Sequence, residues 1–420
     1  MTIKMPAQAA QVLETLERAG YEAYIVGGCV RDSLMGREPL DYDITTSALP
    51  DEVLECFAGE RIIPTGIKHG TVTVVLDGMP LEITTYRADG EYSDHRRPDS
   101  VAFSRELRDD LCRRDFTVNA MAYNPARGIV DMYGGRRDLD AHLIRCVGVP
   151  ERRFDEDALR MLRAVRFAAT LNFDIDTPTL EALRAHAADI DYVARERIFV
   201  ELNKTAQAAH PRRALLAGGV LAARALGAYE QDMAGLDRGA RLMERMPCDA
   251  ALRWAALLLP LGAAGAGEVL LGLRAPNALI ERVRAGIGGC GREFVPERAS
   301  VLRALNALGE QGMDDALALK RACCEEDVGE SGGEHGGENG GERSGDASVL
   351  DEVQALKDRL IAQGECYLLR QLMIDGNVLR GMGYAGKGIG AELNALLDRV
   401  MDGSLPNERK ALESAAMGDM

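Results

Sequence analysis

Long apolar runs are missing from this 420-residue chain. No stretch reaches the roughly 18 uncharged apolar residues of a membrane-spanning helix; the longest runs from Trp254 to Ala264. The first ten residues and the Gln11, Glu14, Glu17 and Arg18 that follow hold no signal-peptide core, so the expectation is a cytoplasmic protein without membrane contact. Nine cysteines include the adjacent pair Cys323 and Cys324 but no CxxC spacing. An odd count without that spacing argues against a disulfide framework and a zinc site, leaving reduced thiols. Aromatics make up only 5% of the chain, with the single Trp254 in an apolar segment expected to be core, and the six histidines, His69 among them, show no ligand spacing. Positive charge is scarce, with 50 Lys and Arg against 66 Asp and Glu. The deficit is uneven: Glu325 to Asp346 holds eight acids against one arginine, so the remainder carries about −9 of the total −16. Any nucleic-acid site must therefore be a local basic groove.

What is present is enough apolar residue, 46%, for more than one core. The first part of the chain mixes strand and helix signals, with β-branched runs at Ala23 to Val26, Thr71 to Leu76 and Leu81 to Tyr86 bounded by Gly, Pro and Asp. From Asp155 the apolar period becomes helical, with Leu159, Leu162, Val165 and Phe167 on one buried side and Leu180 and Leu183 on a second helix. Residues 325–347 repeat Gly-Gly-Glu and read as a solvated tether, and helical pattern resumes from Val349 around a glycine-rich turn at Gly381 to Gly390. The GxGxxG within that turn follows no strand, so a turn between helices is the better reading than a dinucleotide site.

Gly27-Gly28-Cys29-Val30-Arg31-Asp32 lies between a predicted strand and a predicted helix. Gly27 and Gly28 let backbone approach an anion, helix N–H groups point at it, and Arg31 neutralises a phosphate oxygen. Asp41 and Asp43 follow in Asp-Tyr-Asp. On a strand they share one face, so their carboxylates can share hard metal ions, with Glu82 on a neighbouring strand as third acid. In isolation such a pair is a solvated strand end. Arg113-Arg114-Asp115 with Asn119 reads either as sugar and triphosphate contacts or as a helix start capped by Asp115. Asp157, Arg160 and Arg163 recur at helical i+3 spacing, followed by Arg166. An acid with an arginine one turn away can read the hydrogen-bonding edge of cytosine or adenine; the alternative is an intrahelical ion pair on a solvated face.

Taken with the segments at Thr65 to Thr71, Tyr92 to Phe103, Asp131 to Arg145, Glu196-Arg197-Ile198 and Ile374-Asp375-Gly376, these motifs resemble the class II tRNA nucleotidyltransferases, the CCA-adding enzymes, and their relatives the bacterial poly(A) polymerases. The resemblance spans nearly the whole chain. Asn377 stands where the family tail often carries Asp, a departure that bears on tail packing. What it implies is an α+β fold in which a polymerase β-type head with a mixed sheet at residues 1–141 precedes an all-helical neck at 142–208, a body at 209–324, the linker at 325–347 and a tRNA-binding tail at 348–420. It also implies that Gly28 and Arg31 contact the triphosphate, Asp41 and Asp43 hold Mg2+, and Arg114 holds the incoming nucleotide. Asp157 and Arg160 would then select C or A, with Arg163 and Arg166 completing the pocket. The partners implied are tRNA, CTP and ATP. An A-only enzyme, a poly(A) polymerase and a catalytically silent RNA-binding protein remain as alternatives, though the silent protein has no chemical reason to keep paired acids that repel without metal.

Overall fold

The computed structural model describes residues 2–63, 66–67, 70–89, 101–330 and 340–418. Thr65, Lys68 and His69, and most of the loop from Tyr92 to Phe103, lie outside them. Two compact units form, Met1–Asp237 with Gly272–Arg274, and Arg238–Leu271 with Ala275–Met420.

In the first unit, helix α1 (Ala7–Arg18) precedes β1 (Ala23–Val26), α2 (Gly28–Leu34), β2 (Asp43–Thr46), α3 (Pro50–Cys56), β3 (Arg61–Ile63), β4 (Thr71–Leu76) and β5 (Met79–Thr85). Then come β6 (Arg87–Asp89), β7 (Val101–Phe103), α4 (Leu107–Cys112), β8 (Met121–Asn124), β9 (Gly128–Asp131) and α5 (Gly135–Asp140). One sheet has the order β3-β4-β5-β2-β1-β8-β9, and β6 pairs with β7 apart from it. The large sheet is mixed, because β2 and β5 run parallel while the other pairs are antiparallel. Every residue of β1 is buried, as expected of a central strand covered on both faces. On β4 and β5 buried residues alternate with more exposed ones, the period-2 pattern that marked them in the sequence.

Helical structure takes over with α6 (Pro150–Glu156), α7 (Leu159–Leu171), α8 (Thr177–Ala185) and α9 (Arg195–Ala206). Leu159, Leu162, Val165, Phe167 and Leu183 are buried and Leu180 is half-buried, so the 3.6-residue period located the inner face of α7 and most of that of α8. Asn172 ends α7 in the left-handed conformation at φ 61°, a cap that Asn tolerates.

The second unit is helical throughout its described residues. Trp254 is fully buried. Ala250–Gly272 is the strongly apolar segment, with mean hydropathy 1.6, but Arg253 and Glu268 interrupt it, so the expectation that no uncharged apolar run reaches spanning length holds. It is not one helix: a turn at Leu259–Leu261 and Gly262 at φ 69°, ψ 174° divide it. The expected tether is helical at both ends, since Arg298–Glu330, broken by Gly309, enters it and Gly340–Ala362 leaves it. Its centre lies outside the described residues. Helix Gly376–Gly381 stops before Lys387–Met401 starts, so the GxGxxG segment is a turn between helices.

Candidate active site

The site begins where β1 ends. Gly27 turns at φ 81°, ψ −129°, a backbone that L side chains rarely adopt, and its N–H donates to the Met121 carbonyl at 3.2 Å. A Cβ there would lie 3.2 Å from Arg114 Nη1. Val26 is the register partner of Asp43, which puts Asp43 beside the glycine turn.

Strand β2 starts at Asp43, so Asp41 is not on it, contrary to the alternating-strand expectation. The reason is geometric. β1 stops at Val26 and Gly27 turns toward Met121, which leaves no ladder partner for residues 41 and 42. The carboxylates are nonetheless neighbours. Because Ile44 pairs with Ile83 on parallel strands, Glu82 falls next to Asp43 on the same face. Desolvation by the surrounding protein, then the charge of Asp41, push the Asp43 carboxyl above its ordinary value; Arg114 opposes this and Glu82 adds to it. Among the described residues, the only three potential ligand atoms within 4.8 Å of one another belong to Asp155, His186 and Asp189, where His186 Nδ1 lies 3.4 and 2.9 Å from the two carboxylates.

Arg31 is buried and makes a two-point ion pair with Asp32 at 2.9 and 3.0 Å, while its Nη1 donates to Asn119 Oδ1 at 2.6 Å. Asn119 donates in turn to Asp115 Oδ1 at 3.2 Å, and Asp115 Oδ2 accepts from Arg163 at 2.8 and 2.5 Å. One polar chain thus joins Arg31 on α2 to Arg163 on α7. Burial alone would raise the Asp115 carboxyl, but Arg163 and the Asn119 hydrogen bond hold it at about 2. Arg166 pairs with Glu201 at 2.5 Å.

Asp157 and Arg160 do not form the helical pair expected of them. Asp157 sits between α6 and α7 with extended backbone, φ −149° and ψ 102°, so helical i+3 geometry does not apply. Its carboxylate accepts from Arg197 at 2.8 Å and from the Leu159 N–H at 3.1 Å, which anchors the start of α7. Arg160 pairs with Glu156 and donates to the Arg113 carbonyl at 3.1 Å. Both still border the same cluster, since Asp157 and Arg163 interact, as do Arg160 and Asp115.

Asp110 and Glu201 escaped the sequence reading, and Arg197 entered it only as part of a family segment. Asp110 is fully buried and accepts from Arg113 at 2.6 Å and Arg114 at 2.9 Å, which orients Arg114 against Gly27. Its signal was the i+3 and i+4 spacing from α4 to those arginines. Glu201 and Arg197, on α9, had no comparable local signal.

The Poly A polymerase head domain family matches residues 23–145, and the family described as the probable RNA and SrmB- binding site of polymerase A matches residues 172–217. The CCA-adding enzyme of Staphylococcus aureus (strain MRSA252) is 50% identical over 197 residues, 47% of this chain and 49% of that protein. That of Streptococcus agalactiae serotype V is 48% identical over 210 residues, 50% of this chain and 52% of that protein. The chain therefore spans about half the length of the curated relatives it matches. The crystal structure of Bacillus stearothermophilus CCA-adding enzyme in complex with CTP superposes at TM-score 0.79 with 31% identity, over 99% of this chain and 98% of that one. With that agreement in sequence and fold across the whole length, the chain belongs to the CCA-adding enzyme family.

Proposed function

We propose that this protein is a tRNA nucleotidyltransferase that adds CMP, CMP and then AMP to the 3′ end of tRNA from CTP and ATP, releasing pyrophosphate. The observation that carries the reading is the meeting of two groups around one glycine turn. Asp43, flanked by Asp41 and Glu82, lies on one side, and Arg114 and the Arg31–Asn119–Asp115–Arg163 chain lie on the other. The whole-length likeness to an enzyme solved with CTP supports the same substrate class.

In this reading the Gly27–Gly28 backbone, Arg31 and Arg114 bind the triphosphate, and Arg163 and Arg166 border the sugar and base. Asp157 and Arg160 face the base edge and discriminate C from A. The tRNA 3′ hydroxyl attacks the α-phosphate in line, and pyrophosphate leaves. Catalysis is mainly positioning and charge stabilisation. In this reading one acid of the Asp41–Asp43 pair assists deprotonation of the hydroxyl.

The residues present fit a hard divalent cation: they offer oxygen donors only, and desolvation together with the charges of Asp41 and Glu82 raises Asp43. Asp41 and Asp43, with Glu82 beside them, would hold Mg2+, which when bound supplies neutralisation of phosphate charge. The Asp155–His186–Asp189 group is bridged internally by His186, which accounts for its closeness without a metal.

The test is pure protein with Mg2+ and a tRNA transcript lacking CCA, given single and mixed nucleotides. The expected products are CMP additions from CTP alone and a terminal AMP only when both nucleotides are present. AMP added only to transcripts already ending in CC would make it an A-only enzyme. A long A tail on unrelated RNA would make it a poly(A) polymerase.

A further inference from the structure

Phe167, on α7, is buried at 7% exposure, yet its ring is surrounded by charge. The guanidinium carbons of Arg31, Arg163 and Arg166 lie 5.3, 5.4 and 4.0 Å from its centroid. Two of these arginines come from its own helix and the third from α2. Behind the ring, Phe116 meets it edge-on at 5.7 Å and 79°.

Three cations around one ring repel one another. Each is neutralised by its own acid, Arg31 by Asp32 at 2.8 Å, Arg163 by Asp115 at 2.5 Å and Arg166 by Glu201 at 2.5 Å. Arg31 is held on two sides by Asp32 and Asn119, whereas the acids of Arg163 and Arg166 fix one edge of each guanidinium and leave it free to swing about that edge. A π face within cation–π range supplies the second constraint, because ring and guanidinium attract through the ring quadrupole. An aliphatic side chain of similar volume would fill the space without that attraction.

We infer that Phe167 is a positioning residue for the incoming nucleoside triphosphate, its ring holding the guanidiniums of Arg31, Arg163 and Arg166 in one fixed array. The inference rests on the nucleotidyltransferase reading above and adds to it the group that sets the geometry of the arginines. Phe167 touches the arginines and acts through them.

The test replaces Phe167 in the full chain by 4-fluoro-, 3,5-difluoro- and 3,4,5-trifluorophenylalanine, which weaken the quadrupole stepwise with little change in shape. KM for CTP and ATP in the addition reaction is read against kcat, and CTP affinity is read by calorimetry without RNA. KM and Kd are expected to rise together along the series, by about tenfold at the trifluoro ring, with kcat changing less than about twofold. Phe167→Leu is expected to match the trifluoro variant, and Phe167→Tyr to restore a low KM. A KM and Kd flat across the fluorinated series in an active enzyme would overturn the positioning role, as would melting temperature and kcat falling in step with KM. A protein whose CTP affinity follows fluorination but which adds nothing to tRNA would overturn the proposed reaction and keep the positioning role. The fluorinated series stays informative should the leucine variant fail to fold.

Discussion

The Asp115 carboxylate grips the Arg163 guanidinium through one oxygen, at 2.8 and 2.5 Å, while its other oxygen takes the Asn119 amide at 3.2 Å. That arrangement makes Asp115 the joint between the sheet-bearing head and α7, and it stays ionised although it is buried.

Its folded value of about 2, below the ordinary 3.8, has a definite sign for stability. A depressed carboxyl stabilises the fold above the unfolded-state value and loses that contribution as pH falls toward the folded one. Asp115→Asn is expected to lower stability at neutral pH by roughly 2 kcal/mol and to flatten the loss of melting temperature between about pH 4 and pH 2. Thermal melts of both proteins across that window check it. An unchanged acid limb would show that Asp115 is not the linked group.

Desolvation first, then repulsion from Asp41 and to a lesser degree Glu82, raises the Asp43 carboxyl in the protein alone, so its charged form is disfavoured without a cation. Asp43→Ala should therefore leave the metal-free melting temperature unchanged or higher while nucleotide addition falls by on the order of a thousandfold or more. Paired melts and single-turnover assays, with and without Mg2+, make the comparison. A variant that loses stability along with activity would mean Asp43 holds the fold.

Asp110 is fully buried between Arg113 and Arg114. Removing it strands two guanidiniums, so Asp110→Ala is expected to cost about 3–5 kcal/mol in denaturant unfolding. Asp109→Ala, one residue away and with its carboxylate accepting from the Ser104 hydroxyl at 2.6 Å, should cost about 1 kcal/mol. Equal effects at the two positions would contradict the buried ion-pair assignment.

The thiols divide by environment. Burial pushes Cys29 and Cys146 up to about 12, whereas Cys290 is lowered, first by the hydrogen bond from Cys323 and also by Lys320. Iodoacetamide at neutral pH should label Cys290 and the exposed Cys112 and Cys248 well before Cys29 and Cys146. Cys323→Ala should slow labelling at Cys290, because the thiolate loses its donor. Peptide mass spectrometry over time reads both. Faster labelling at Cys290 in that variant would show that access, and not the hydrogen bond, controls it.

Much of the site was legible from short-range rules. A positive-φ turn needs glycine, so Gly27 marked the loop, and β-branched alternation marked the strands that bring Glu82 beside Asp43. The helical period found the buried face of α7. Asp157 misled because a periodic pattern says nothing about a break between two short helices, and its extended backbone took it out of register. Asp110 was harder still, since Asp109 stands next to it and nothing local says which of two adjacent acids is buried.

Local sterics and side-chain periodicity, which act within a turn or a strand, are written in the chain and were sufficient for the elements and for most of the residues at the site. The choice of partner was decided elsewhere. Arg31 reaches Asn119 across 88 residues and Arg163 reaches Asp115 across 48, and Arg31 of α2 joins Arg163 and Arg166 at Phe167 only through the tertiary fold. Charge attracts any opposite charge at close range, so spacing along the chain cannot say which pair forms until packing has brought the partners within reach.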